Sequence, residues 1–207
     1  TEVIVHAYEE WGERCVTHLR GMFAFAIWDG RARDGEARVL LARDRLGIKP
    51  LYYAIIDGAL LFASEVRSLL ASGAVARRLA RESVEAYLLF GSVVEPMTMV
   101  QGVFSLPPGH SLMVSSREAH KCKPAAYWDL AAAAGKLRKS DLPKTLPEAA
   151  QAARPLLEEA VRSHLIADVP LGLFLSSGLD STALVALASR ERKGLHTFTI
   201  VFPEQEF

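Results

Sequence analysis

Cysteine is scarce in this chain. Cys15 and Cys122 are the only two, and neither joins a C-x-x-C pair or a His/Cys cluster. That removes a disulfide framework and gives no reason to expect a zinc centre. Cys15 falls in an amphipathic stretch and reads as a small packed residue. Cys122 lies between Lys121 and Lys123, which favours thiolate, but no His–acid pairing surrounds it and a catalytic thiol is set aside. No apolar run approaches the roughly 18 residues of a membrane span. No signal-peptide pattern is legible at Thr1-Glu2-Val3. Neither sign of charge is in excess: Lys+Arg and Asp+Glu are each 24, so no global basic field exists to draw nucleic acid. There is no Walker A loop, because the G-x-x-x-x-G-K-[ST] pattern is absent. There are no internal repeats. What is present is ample apolar content, 50% of 207 residues, enough for one large domain or two small ones.

The chain has two unlike halves. Residues 1–20 carry helical periodicity, with Val3, Ile4, Ala7, Tyr8 and Trp11 on one face and Gly12 and Gly21 as breaks. Short β-rich runs follow at 22–28, 39–43, 51–55 and 60–63, with Phe23, Phe25 and Trp28 read as strand core. Asp29-Gly30 and Asp57-Gly58 are turn signals between them. Residues 65–71 and 82–90 read as helices, with Ser64-Glu65 as candidate cap of the first and Ser83 or its neighbours of the second. A strand is expected at 111–115. These elements predict an α+β domain on antiparallel sheets over 1–128. From Ala131 to Pro147 the chain turns Ala-, Lys- and Pro-rich, so 129–147 reads as a linker. The rest, 148–207, reads as α/β. It holds an amphipathic helix over 148–164, a strand over 169–175, a helix from Ser181 and a second strand over 195–201.

The chemistry is concentrated in Phe174-Leu175-Ser176-Ser177-Gly178-Leu179-Asp180-Ser181-Thr182. A strand runs through a hydroxyl-rich turn directly into a helix. The first amides of that helix have no intrahelical partner, and its dipole adds roughly half a positive charge at the same end. Gly178 would supply positive φ and close approach. A phosphate or pyrophosphate is the expected guest, at the carboxyl end of a strand where open α/β sheets bind ligands. The loop resembles the PP-loop of ATP-pyrophosphatases, usually S-G-G-x-D-S, with Ser177 standing where the second residue is normally Gly. A serine keeps that turn if its φ is negative.

Further motifs extend the resemblance. They are Gly21-Met22-Phe23-Ala24-Phe25-Ala26-Ile27-Trp28-Asp29, Ala42-Arg43-Asp44-Arg45-Leu46-Gly47-Ile48-Lys49-Pro50-Leu51-Tyr52-Tyr53, Phe62-Ala63-Ser64-Glu65-Val66, Leu106-Pro107-Pro108-Gly109-His110 and Tyr127-Trp128-Asp129. In this order they resemble the glutamine-hydrolysing asparagine synthetase family: a class II glutamine amidotransferase domain, then the start of a PP-loop synthetase domain. The resemblance implies an N-terminal-nucleophile hydrolase sandwich (αββα) followed by the first βαβ unit of a PP-loop ATP-pyrophosphatase domain. It implies an ATP-dependent carbon–nitrogen ligase acting in asparagine biosynthesis. Glutamine is hydrolysed in the first domain, ATP with Mg²⁺ adenylylates aspartate in the second, and the ammonia yields asparagine. The implied partners are these small molecules, with no nucleic acid and no membrane, in a cytoplasmic enzyme that the resemblance allows to be a homodimer.

Carried over residue by residue, Leu175, Ser176, Ser177, Gly178, Asp180, Ser181 and Ile200 match ATP- and pyrophosphate-binding positions. Asp180 is expected near Mg²⁺-pyrophosphate or as a cap of its helix, and Ile200 beside the adenine or in plain core. No glutaminase catalytic residue is carried over, since the resemblance places the N-terminal Cys nucleophile upstream of Thr1 and the chain reads as an internal fragment. Thr1 as a substitute nucleophile is set aside because it opens a helix. Arg43, Asp44, Arg45 and Lys49 could hold an anion, but their alternating signs favour pinning a turn through Gly47. His110 reads as a satisfied loop histidine. Two alternatives stay open. One is a related amidotransferase or β-lactam synthetase-like ligase using another acid. The other is a non-catalytic pseudoenzyme.

Overall fold

The computed structural model describes residues 2–31, 36–115, 119–138, 140 and 142–201. Thr1, and the segment 202–207 that reads as running off the last strand, lie outside the described residues. The chain divides into two units, Thr1–Lys136 and Leu137–Phe207.

The first unit opens with α1 (Glu2–Trp11), a 3₁₀ turn at Gly12–Arg14 and α2 (Cys15–His18). Four strands follow: β1 (Ala24–Asp29), β2 (Arg38–Arg43), β3 (Tyr52–Ile56) and β4 (Ala59–Ala63). Then come α3 (Val66–Ala71), α4 (Arg81–Phe90), β5 (Phe104–Ser105), β6 (His110–Ser115), β7 (Ala125–Ala126) and α5 (Leu130–Gly135). The strands form two antiparallel sheets, in the orders β1-β2-β6-β7 and β4-β3-β5. The helix α5 occupies the start of the stretch read as a linker.

Period-two alternation sets the layers. Leu41 of β2 and Leu112 and Val114 of β6 point to one face and meet Leu51, Tyr53 and Leu106 from around the second sheet. The intervening Leu40 and Ala42 point the other way and meet Ala7 of α1 with Cys15 and Val16 of α2. On the far face of the second sheet, Ala54 of β3 packs with Leu69 of α3, Val75 and Val103. The order is therefore helix, sheet, sheet, helix. Burying each such Leu or Val stabilises by about 1.5–3 kcal/mol. β2, one of the two inner strands of its sheet, is buried on both faces from Leu40 onward. The β3–β4 hairpin closes through Asp57-Gly58, with φ of 50° and 79° and the flanking pair Ile56↔Ala59. Two consecutive positive φ values make the turn whose twist matches the strands.

Three local readings change. Trp28 is 71% exposed, because Phe23 and Phe25 share their parity with Ile27 and not with Trp28. Glu65 occupies the N-cap position of α3 without a capping bond, and its carboxylate is turned onto Arg67. Ser83 does not cap α4. The cap is Ala80, whose carbonyl accepts from the amides of Ser83 and Val84 at 3.1 Å each. Ser83 is instead fully buried, and its hydroxyl has no partner among the described residues. An unpaired buried hydroxyl costs about 1–3 kcal/mol. Ser83→Ala is thus expected to raise the melting temperature, by roughly 2–5 °C for a stabilisation of about 1 kcal/mol, in calorimetry or circular dichroism.

The junction between the two sheets is held by Arg43 and Asp44. Asp44 is 1% exposed, and its carboxylate accepts from the amides of Leu46 (3.1 Å), Ile48 (3.0 Å) and Lys49 (2.9 Å). Its own amide donates to Phe23 O, and its carbonyl accepts from Gly47 and Gly109. The Arg43 guanidinium donates to the carbonyls of Lys49, Gly47 and Leu106, to Ser105 Oγ and to Glu95. Tyr127 donates its hydroxyl to Arg43 O at 2.7 Å, and burial pushes that phenol up to about 12.

The second unit contains α6 (Leu146–His164), β8 (Gly172–Phe174), α7 (Leu179–Glu191) and β9 (His196–Phe198). Thr145 and Glu148 close a capping box at the start of α6. β8 and β9 pair in parallel with α7 between them, over the three pairs Gly172↔His196, Leu173↔Thr197 and Phe174↔Phe198. Both strands are shorter than their apolar runs suggest. Pro170 has no amide to extend the ladder on one side. Leu157, Ala160 and Val161 of α6 share an apolar groove with Leu173, Leu184 and Ala188. Ala188 is the one buried residue among the described residues of this unit. Arg162 and Glu191 join α6 to α7 through two bonds of 3.0 and 3.1 Å.

Candidate functional site

The loop between β8 and α7 brings together six of the seven residues singled out from the sequence. Leu175 continues from β8, Ser176 and Ser177 form the turn, Gly178 is the N-cap of α7, and Asp180 and Ser181 lie in its first turn. A ring of hydroxyls fixes this turn. Ser181 Oγ accepts from the amide of Ser176 (3.2 Å) and lies 2.9 Å from Ser176 Oγ. It also sits 3.0 Å from Ser176 O and 3.1 Å from Gly178 O. Ser176 Oγ accepts from the amide of Gly178 (3.2 Å). Thr182, which the sequence reading passed over, donates both its amide and its hydroxyl to Gly178 O.

The bonds that are not made matter more. Among the described residues, no protein acceptor faces the amides of Ser177, Leu179, Asp180 or Ser181. Four free donors stand on an exposed turn at the positive end of a 13-residue helix. That is the donor set an oligophosphate requires.

The backbone also explains the two unusual positions. Among the described residues Asp57 is the one non-glycine with positive φ, so Ser177 sits in ordinary φ space and its β-carbon carries no strain. Gly178 does not use positive φ either: its φ is −74° and its ψ 152°. It is small for a different reason. A β-carbon there would stand 3.1 Å from Ser176 Oγ and push into the hydroxyl ring. Asp180 is not a cap, being two residues beyond Gly178; its carboxylate is exposed and has no protein partner among the described residues.

Ile200 is neither strand nor core. It lies two residues past β9 and is 77% exposed. The link between it and the loop is Thr199, also missed in the sequence, whose hydroxyl donates to Leu175 O at 2.7 Å. The amide of Leu175 donates to Phe198 O at 2.8 Å. No sequence signal separates Thr199 from the other β-formers of its run.

Other charged clusters are structural. Arg43 has each guanidinium nitrogen directed at a protein acceptor, so this side chain serves the turn through Gly47. Asp29 accepts from both the side chain and the amide of Arg31, which hold its carboxyl at about 2. His110 Nδ1 lies 2.7 Å from Pro108 O, so the ring has a partner as expected, but the residue opens β6 and is not in a loop. Among the described residues no helix is long and apolar enough to cross a membrane.

Comparison with known proteins adds independent information. The glutamine amidotransferase domain family matches residues 1–128, and the asparagine synthase family matches residues 152–207. Over 214 residues the chain is 36% identical to asparagine synthetase [glutamine-hydrolyzing] 3 of Bacillus subtilis, covering 100% of this chain and 32% of the relative. It is 35% identical to the amidase chry2 of Gibberella zeae over 91% of this chain and 26% of that protein. The chain thus spans about a third or less of the length of these relatives. Among solved structures, the glutamine phosphoribosylpyrophosphate amidotransferase of Bacillus subtilis aligns with a TM-score of 0.40 and 14% identity, over 99% of this chain and 42% of that one.

Proposed function

Because this chain belongs to the glutamine amidotransferase family, whose domain matches residues 1–128, we propose that it is part of a glutamine-dependent asparagine synthetase. On this reading the first unit belongs to an N-terminal-nucleophile hydrolase domain that releases ammonia from glutamine. The second begins a PP-loop synthetase domain that activates aspartate with ATP. The domain limits we propose are 1–128, a linker over 129–147, and 148–207. The observation that carries the reading is the set of four unpartnered amides at Ser177, Leu179, Asp180 and Ser181, within the stretch matched by the asparagine synthase family.

The residues fit the group. The loop amides, with the hydroxyl of Ser177, would hold the β- and γ-phosphates, while Ser176 and Ser181 would fix the turn through their ring and Gly178 would keep it compact. Asp180 would hold Mg²⁺ at the pyrophosphate, and Leu175 and Ile200 would border the nucleoside. Bound ATP supplies an activated carboxyl and a stable leaving group. The chain's own part is to place donors where negative charge accumulates as pyrophosphate departs. Those donors are fixed beforehand by the Ser176–Ser181 ring, so little reorganisation is needed during the reaction. We place the enzyme in the cytoplasm, where its small-molecule substrates and two thiols suit a reducing compartment.

The test supplies ammonia directly to the full-length protein with ATP, Mg²⁺ and aspartate. AMP, pyrophosphate and asparagine are expected in equal amounts. Absence of all three rejects asparagine synthesis. A second reading keeps the fold and changes the acceptor acid. It is favoured by the amidase of Gibberella zeae, which matches at nearly the same identity as the synthetase. Pyrophosphate release with another carboxylic acid but not with aspartate would select it.

A further inference from the structure

The parallel ladder between β8 and β9 ends at Phe174↔Phe198. Beyond it, two bonds hold the phosphate loop to the second strand: the Leu175 amide to Phe198 O at 2.8 Å, and the Thr199 hydroxyl to Leu175 O at 2.7 Å. The first is backbone and survives any substitution that leaves the chain in place. The second depends on one side chain, and that side chain directly precedes Ile200. Of the two, the hydroxyl is the one side-chain bond that ties the first residue of the phosphate loop to the residue directly before Ile200. The loop's internal ring, from Ser176 to Ser181, does not include it.

We propose that Thr199 is a positioning residue for the nucleotide, fixing the distance between the phosphate loop and Ile200. The proposal rests on the nucleotide reading above. A ligand that bridges two elements binds best when their spacing is set beforehand, because otherwise part of its binding energy goes into ordering them. A ligand that touches only the loop gains nothing from that spacing. Thr199 should therefore matter for ATP and not for inorganic pyrophosphate.

The experiment uses the full-length protein with Thr199→Val and Thr199→Ser. Valine keeps the β-branched shape and removes the hydroxyl; serine keeps the hydroxyl and removes the methyl. In T199V the KM for ATP is expected to rise about 3- to 10-fold, the worth of one hydrogen bond, with kcat changed less than about twofold. Inhibition by inorganic pyrophosphate should be unchanged, and T199S should return KM to within about twofold of wild type. An unchanged KM in T199V overturns the proposal. So does an equal loss of pyrophosphate and ATP affinity, which would mean the loop itself had collapsed. So does a T199S variant as weak as T199V, which would assign the effect to methyl packing. Failure of the wild-type protein to bind MgATP would overturn the nucleotide reading first, and this proposal with it.

Discussion

Asp44→Ala is expected to destabilise the first unit by about 3 kcal/mol or more, a loss of roughly 10 °C in melting temperature. The reason is the number of donors left behind. Leu46, Ile48 and Lys49 all point their amides at this one carboxylate, and Asp44 is buried between the β2 end and the loop before β3. Alanine provides no acceptor for these three amides. Asp44→Asn keeps one oxygen but turns an NH₂ group toward donors, so it should recover only part of the loss. The effect has a pH signature. Burial pushes the Asp44 carboxyl up, but the hydrogen bonds from Lys49, Ile48 and Leu46 pull it down further, and its folded pKa lies below the ordinary carboxylate value. A group held low in the folded state stabilises above its unfolded pKa, near 4, and loses that contribution as pH falls through the folded value. The gap between wild type and D44A should therefore be full at neutral pH and shrink below about pH 4. Chemical denaturation at several pH values checks this. A constant gap would mean that the carboxylate's charge is not what the three amides need.

The same region shows what the sequence makes legible. Residues 43–49 alternate in sign around a glycine, and reading them as a pinned turn agrees with the structure. Asp44 finds its partners locally, in the amides of Leu46, Ile48 and Lys49, and Arg43 finds two of its acceptors there, the carbonyls of Gly47 and Lys49; local partners leave a pattern. The sheets were legible for a similar reason. Leu40, Leu41 and Ala42 are all apolar because β2 is buried on both faces, and Asp57-Gly58 fits one turn type. The failures come where parity is overlooked or burial is set by distant residues. Trp28 is one position out of phase with Phe23 and Phe25, a parity the sequence already carries and the pairing of β1 with β2 makes plain. Ser83 looks like a cap in one dimension, but α4 starts before it and the fold buries it.

In the second unit the loop was legible as a string, because its hydroxyls and glycine are contiguous. Its geometry was not. Gly178 has negative φ, and a β-carbon there would come 3.1 Å from Ser176 Oγ, a distinction that needs coordinates. Thr199 lies 24 residues from Leu175, and nothing in a run of strand-forming residues marks it. Ile200 was read as a strand position, beside the adenine or in plain core, yet the ladder stops two residues earlier.

Asp180→Ala is the functional counterpart of D44A, with the opposite profile. We expect formation of AMP and pyrophosphate by the full-length protein to fall on the order of 100-fold or more, comparable to losing one preorganised electrostatic contact in an active site. The melting temperature should move by no more than about 2 °C, because the carboxylate is exposed and contributes only its favourable placement near the helix dipole. Asp180→Asn keeps the size and one coordinating oxygen but loses the charge, so it should show a raised Mg²⁺ requirement and partial activity. Asp180→Glu keeps the charge on a longer arm and should fall between the two. The pairing of large kinetic loss with intact folding is what separates a metal-holding residue from one that builds the helix. A D180A protein that melts far below wild type would assign Asp180 to the stability of α7. One that releases pyrophosphate at the wild-type rate would remove it from the site, and leave the four free amides to hold the phosphates alone.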